Sequence, residues 1–161
     1  MNTALFPGSF DPVTAGHLDI VERAAAIFDQ VIVCVMVNAE KHPLFSLDER
    51  LCFLRNSIAH VPNASAEICD GLLADFARQR GAHTLVKGAR GCVDFENELQ
   101  MAQINRGLWP GLDTVILPAK AEHHHISSTL VREMLRYHQP LEHCVPAGGL
   151  AAIRSAAEGK V

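Results

Sequence analysis

Near the start of the chain stands Pro7-Gly-Ser-Phe-Asp-Pro-Val-Thr-Ala-Gly-His17, a loop that follows a short apolar run and leads into a helix-like segment. Its glycines let a ligand approach the backbone closely. Gly16-His17 falls where the helix begins. A helix N-terminus presents unpaired N–H groups and a partial positive charge, and both favour phosphate. A histidine there can donate a hydrogen bond to a phosphoryl oxygen, and Ser9 can offer a hydroxyl to the same ligand. Taken one at a time, Ser9 and Asp11 are also ordinary turn residues, and His17 an ordinary first-turn residue. The full string is what points to phosphate chemistry. It is neither the Gly-x-x-x-x-Gly-Lys-Ser/Thr of a Walker loop nor the Gly-x-Gly-x-x-Gly of a dinucleotide site.

Further polar groups follow later strand-like runs. Lys41 stands in Asn38-Ala-Glu-Lys-His-Pro, where a lysine alone is no more than a solvated loop charge. Lys87-Gly-Ala-Arg90 puts two cations around Gly88 and Ala89, an arrangement that can hold phosphate but also suits a surface turn. Glu98, Met101 and Asn105 share one helix face, although spacing alone does not select Glu98 over Glu96. In Ile126-Ser-Ser-Thr-Leu-Val-Arg132, Ser127 and Ser128 can cap a helix and bind phosphate. His123, His124 and His125 are consecutive, so they point in different directions and do not suit a single metal ion.

The elements that must position these groups alternate along the chain. Strands are predicted at Thr3–Phe6 (ended by Pro7-Gly8), Val31–Val37, Ala64–Cys69, Thr84–Lys87 and Thr114–Leu117. Helices are predicted at His17–Phe28, from the Ser46…Glu49 capping box to about Ala59, at Leu72–Arg80, Val93–Arg106, Ser128–Tyr137 and Leu150–Ala157. Strands joined by helical crossovers imply a Rossmann-like α/β fold, a doubly wound parallel five-stranded sheet with helices on both faces. Ligands in such folds bind beyond the carboxyl ends of the strands, where strand order reverses. The 161 residues suit a single domain, 1–161.

Composition narrows the function classes. Apolar residues are 48% and charged residues 20%, as in a globular chain. A net charge of −4 does not suit a general nucleic-acid binder. No run is long enough to span a membrane, and the first residues do not form a signal peptide, so a cytoplasmic location is expected. The cysteines at 34, 52, 69, 92 and 144 are odd in number and hold no Cys-x-x-Cys pair. They are expected to be free thiols, mostly buried.

The loop ending in Gly16-His17 resembles the Thr/His-x-Gly-His signature of the nucleotidylyltransferase superfamily. Together with Phe45-Ser-Leu-Asp-Glu-Arg50, Gly88-Ala-Arg90, Asp94-Phe-Glu-x-Glu98-x-Gln, Asn105-Arg106 and Ile126-Ser-Ser-Thr-x-Val-Arg132, it is similar to bacterial phosphopantetheine adenylyltransferases over nearly the whole chain. The resemblance implies transfer of AMP from ATP to 4′-phosphopantetheine, giving dephospho-coenzyme A and pyrophosphate, with Mg²⁺ carried by ATP rather than held by a protein metal site. It implies Ser9, Phe10, His17, Gly88, Ala89, Arg90, Glu98 and the stretch His123, His124, His125, Ile126, Ser127, Ser128 and Thr129 around ATP. It implies Ser9, Lys41, Leu73, Lys87, Met101 and Asn105 around phosphopantetheine. His17 is the implied transition-state stabiliser, with Lys41 beside it. A homohexamer inhibited by coenzyme A is implied as well. Relatives usually carry Arg where Lys87 stands and often Lys where His42 stands, which changes the geometry or charge offered to phosphate. Two alternatives remain open on these residues: a sister nucleotidylyltransferase acting on another phosphate, and a non-catalytic coenzyme A or nucleotide sensor.

Overall fold

The computed structural model describes residues 1–37 and 42–161. The strands are β1 (Thr3–Gly8), β2 (Gln30–Met36), β3 (Ala64–Cys69), β4 (Thr84–Ala89) and β5 (Asp113–Pro118). The helices are α1 (Ala15–Ala25), α2 (Leu47–Ile58), α3 (Leu73–Gln79), α4 (Cys92–Leu108), α5 (Ser128–Arg136) and α6 (Ala147–Ala157), with a short 3-10 turn at Ala121–His123. All strand pairs are parallel, in the order β3-β2-β1-β4-β5. The chain therefore winds outward from β1 in one direction, returns, and winds outward in the other.

Strand alternation divides the core into two layers. Ala4 and Phe6 of β1 and Val31, Val33 and Val35 of β2 face α1, α2, α5 and α6 through Val21, Phe53, Val131 and Ile153. Leu5, Ile32 and Cys34 face the other way, onto Ala74, Phe76 and Ala77 of α3 and Leu112 beyond α4. A strand covered on both faces must be apolar at every position, which accounts for the unbroken run in β2.

Two boundaries depart from expectation in an informative way. β1 does not stop at Phe6: Pro7 and Gly8 stay in register with Cys34 and Val35 of β2. On the other side, β1 pairs with β4 only through Ala4↔Thr84 and Leu5↔Leu85, whereas β4 stays paired with β5 as far as Ala89↔Pro118. Proline has no N–H to give a ladder, and the β1–β4 pairing ends short of it. The carboxyl ends of β1 and β4 thus part at the switch point and open a cleft. α6 begins at Ala147, before the expected Leu150. Gly148 and Gly149 read locally as helix breakers, but a Cβ at Gly148 would lie 2.4 Å from the Asn56 carbonyl oxygen, so they let α6 pack directly on α2. Cys34, Cys69 and Cys144 are buried thiols, but Cys52 and Cys92 are exposed. Cys52 lies off the α2 face formed by Phe53, Leu54, Ser57 and Ile58.

Candidate active site

Thr14 closes the first loop as the N-cap of α1. Its hydroxyl accepts the His17 backbone N–H at 3.3 Å, while the His17 Nδ1 lies 3.0 Å from the Thr14 backbone N–H. This is a capping box with histidine in the place usually held by Glu or Gln. A backbone N–H can only donate, so Nδ1 must be the acceptor, and the proton of the neutral ring resides on Nε2. Burial, aided by the charges of Arg90 and Lys87, lowers the His17 pKa to about 4. His17 is therefore a neutral Nε2–H donor at pH 7, with its tautomer set by the fold.

Phe10 holds the ring from the other side. The two ring centroids are 5.0 Å apart and nearly perpendicular. Phe10 takes a left-handed backbone conformation (φ 47°) that non-glycine residues adopt only at a cost, on the order of 1–3 kcal/mol. Its side chain lies directly over Gly8, where a Cβ would meet the ring at 2.9 Å. Phe10 is 1% exposed, so at the edge of the cleft it serves as packing for His17.

The cleft contains two adjoining cavities. The first, about 510 Å³, is lined by Ser9, His17, Gly88, Arg90, His123, Ser127 and Ser128, among others. The second, about 600 Å³, is lined mainly by apolar groups: Met36, Leu72, Leu73, Met101, Ile104 and Leu108, with Asn105. Pro7, Gly8, Ser9, Lys87 and Glu98 line both. The Lys87 ammonium pairs with the Glu98 carboxylate at 3.1 Å in this common wall. One cavity thus offers cations, hydroxyls and a helix start, the other suits an extended apolar arm, and the two meet at a serine and a lysine.

Arg90 is already aimed. Its Nε donates to Asp94 at 2.8 Å and its Nη1 to the Ile126 carbonyl at 3.3 Å. The Arg90 side chain in turn holds the Asp94 carboxyl below the usual carboxylate range. Ser127 caps α5 by accepting the Leu130 N–H. Ser128 donates to the Pro12 carbonyl and ties that helix start to the first loop.

The loop is anchored from beneath. Asp11, 6% exposed, accepts the N–H groups of Leu44 and Phe45 at 3.0 and 2.9 Å. Arg132 donates to the Asp11 backbone carbonyl at 2.6 Å. Arg50, 5% exposed, donates through Nε to the Phe45 carbonyl and through Nη1 to the Ser9 carbonyl at 2.8 Å.

The expected site residues therefore converge with few exceptions. Ser9, Phe10, His17, Lys87, Gly88, Arg90, Glu98, His123, Ile126, Ser127 and Ser128 line the first cavity. Leu73, Met101 and Asn105 line the second. Ala89 does not line either: it is a strand residue paired with Pro118. His124 turns to the Ala119 carbonyl, and His125 is exposed. Thr129 lies in a smaller hollow with Arg50 and Arg132. Lys41 lies outside the described residues. Thr14 and Asp94 also line the first cavity and stand outside the expected set. The Thr-x-x-His spacing signals Thr14, as a capping box with an unusual fourth member. Asp94 opens the Asp-Phe-Glu motif, and its four-residue spacing from Arg90 becomes an ion pair once α4 forms.

Residues 5–134 match the cytidylyltransferase-like family. The chain is 51% identical over 146 residues to a phosphopantetheine adenylyltransferase of Symbiobacterium thermophilum, covering 91% of this chain and 90% of that one. It is 49% identical over 152 residues to that of Actinobacillus pleuropneumoniae serotype 3, covering 94% and 96%. A Synechocystis relative of the same name is 44% identical at the same coverage. In shape, 96% of the chain aligns with 93% of a crystallographic chain from Vibrio parahaemolyticus, solved as a candidate nicotinate-nucleotide adenylyltransferase, with a TM-score of 0.72 at 16% identity. That likeness bears on the fold alone.

Proposed function

The chain belongs to the phosphopantetheine adenylyltransferase family, nucleotidyltransferases of coenzyme A synthesis, and from that membership we propose that it transfers the adenylyl group of ATP reversibly to 4′-phosphopantetheine. The products are dephospho-coenzyme A and pyrophosphate. The observation that carries this reading is the common wall: a polar cavity and an apolar cavity meet at Ser9 and Lys87. Two anionic reactants seated one in each would present phosphates to each other at that wall.

The nucleophile is a phosphate monoester whose second pKa is about 6, so it is largely dianionic at pH 7 and needs no general base. One of its oxygens attacks the α-phosphorus in line. The bond from that phosphorus to the bridging oxygen breaks, and the electron pair leaves with pyrophosphate. Catalysis then rests on positioning and on donors aimed at growing charge. The His17 Nε2–H serves the transferring phosphoryl group. Lys87, with Lys41, holds the nucleophile. Arg90 and the start of α5 hold the leaving phosphates. Mg²⁺ carried by ATP would offset phosphate charge. The carboxylates of this cavity, Asp94 and Glu98, are each paired with a cation already, and no cluster of metal-ligating side chains occurs among the described residues.

The direct test supplies ATP and 4′-phosphopantetheine and detects dephospho-coenzyme A by mass. Absence of product, with nicotinate mononucleotide accepted instead, would transfer the reading to a sister enzyme. Lys87→Ala is expected to raise KM for phosphopantetheine roughly tenfold, the order of one lost charge-assisted bond, and to raise KM for ATP less. Equal effects on both would assign this cation to the other ligand.

Assembly as a homohexamer and inhibition by coenzyme A belong to the same reading, as does a cytoplasmic setting. No described helix is long and apolar enough to cross a membrane. α4 supports assembly: it buries only Asn105 and leaves Val93, Phe95 and Leu99 exposed outside the cavities. Light scattering is expected to give about six times the 17.5 kDa chain mass, and a monomer at micromolar concentration would remove this part.

A further inference from the structure

A carboxylate in a cleft built for phosphate needs a physical reason. Glu98 is 21% exposed, its partner Lys87 is 23% exposed, and their 3.1 Å contact lies in the wall that both cavities share. The other carboxylate of the first cavity, Asp94, points Arg90 by holding it through two side-chain contacts and a backbone bond. Glu98 orients no such arginine, and the polar group it meets is the Lys87 ammonium.

We propose that Glu98 is a competing anion for Lys87, one that keeps this cation at the junction of the cavities and surrenders it to an incoming phosphate dianion. The proposal rests on the reaction proposed above and deepens it. An ammonium is a compact charge on a flexible stem, so it can exchange one anionic partner for another without moving the backbone. Before transfer, the nucleophilic phosphate carries two charges and outcompetes a singly charged carboxylate. After transfer, the same phosphoryl group is part of a phosphoanhydride and carries one. The ammonium then returns to Glu98, and the product loses its hold. Glu98 thereby weakens binding of the substrate phosphate and speeds release of the adenylylated product.

The test uses Glu98→Gln, which keeps size and removes the charge, with its melting temperature compared to wild type and Glu98→Ala as a second variant. Dissociation constants are measured by calorimetry for inorganic phosphate, 4′-phosphopantetheine, ATP and unphosphorylated pantetheine. Removal of a like charge beside a dianion is expected to tighten 4′-phosphopantetheine roughly tenfold and inorganic phosphate in the same direction. Pantetheine should be unchanged. The gain should vanish in a Lys87→Met background, and dephospho-coenzyme A should dissociate more slowly from the single variant. Tightening confined to ATP would assign Lys87 to a nucleotide phosphate and overturn the proposal. Unchanged or weaker phosphate binding, or equal tightening of pantetheine, would overturn the proposal. The inorganic phosphate arm decides the matter independently of the reaction. A wild-type protein that forms no dephospho-coenzyme A, yet shows the phosphate effect, refutes the proposed substrate and not the role of Glu98.

Discussion

His17→Ala is expected to lower kcat by about 10²–10³, with a smaller change in KM for ATP. The reason lies in how the ring is held. Its Nδ1 faces the Thr14 N–H at 3.0 Å, and the Phe10 ring packs nearly perpendicular to it at a centroid distance of 5.0 Å. The Nε2–H is thereby fixed before substrate arrives, so no reorganisation is needed as charge grows on the phosphoryl oxygens. Water filling the space left by alanine is not preorganised in this way. Steady-state pyrophosphate release measures the effect, and a kcat within threefold of wild type would remove His17 from its role. The same burial has a thermodynamic consequence. Burial first, then the charges of Arg90 and Lys87, lower the folded-state pKa from 6.5 to about 4. The unfolded chain takes up a proton here below about pH 6.5, and the folded chain does so only near pH 4. The stability contributed by the neutral ring is therefore complete above 6.5 and is lost as pH falls toward 4. The wild-type melting temperature should decline more across that window than that of His17→Gln. Equal declines would mean that the ring is not kept neutral.

Asp11→Ala is expected to cost about 3–5 kcal/mol of folding stability, read from urea unfolding, and to abolish most activity. Asp11 accepts two backbone N–H groups from the segment before α2, and its negative charge supports the buried Arg50 guanidinium. Removing it leaves two donors unpaired, takes a nearby negative charge from the buried Arg50 and breaks the 3.6 Å ion pair with Arg132. Activity should fall with stability because Arg50 also holds the Ser9 carbonyl at 2.8 Å. Asp11→Asn keeps an acceptor and should lose less. An Asp11→Ala protein as stable as wild type would show that water replaces the carboxylate, and the anchoring described for the first loop would be wrong.

Much of this protein is legible in the order of its residues. Local periodicity marks β2 and α2, because an apolar run covered on both faces and a Ser…Glu capping box each depend on neighbours a few positions away. The alternation of strands and helices likewise leads to the parallel sheet, since crossover handedness leaves few other arrangements. The residue types at each strand end, read with the family resemblance, pick out most of the polar side chains that line the two cavities. What chain order could not decide involves partners that meet only after folding. The early end of β1–β4 pairing opens the cleft, and it depends on two strands nearly eighty residues apart. Gly148 and Gly149 look like breakers until α2 lies against them at 2.4 Å from a would-be Cβ. Asp11 reads as a turn residue and Arg50 as part of a motif, and only the packed interior makes Arg50 hold Ser9 and Asp11 hold the segment before α2. Helix caps and periodicity are short-range properties of the backbone. The meeting of Lys87 with Glu98, and of one cavity with the other, depends on how whole elements pack, which the tertiary structure alone determines.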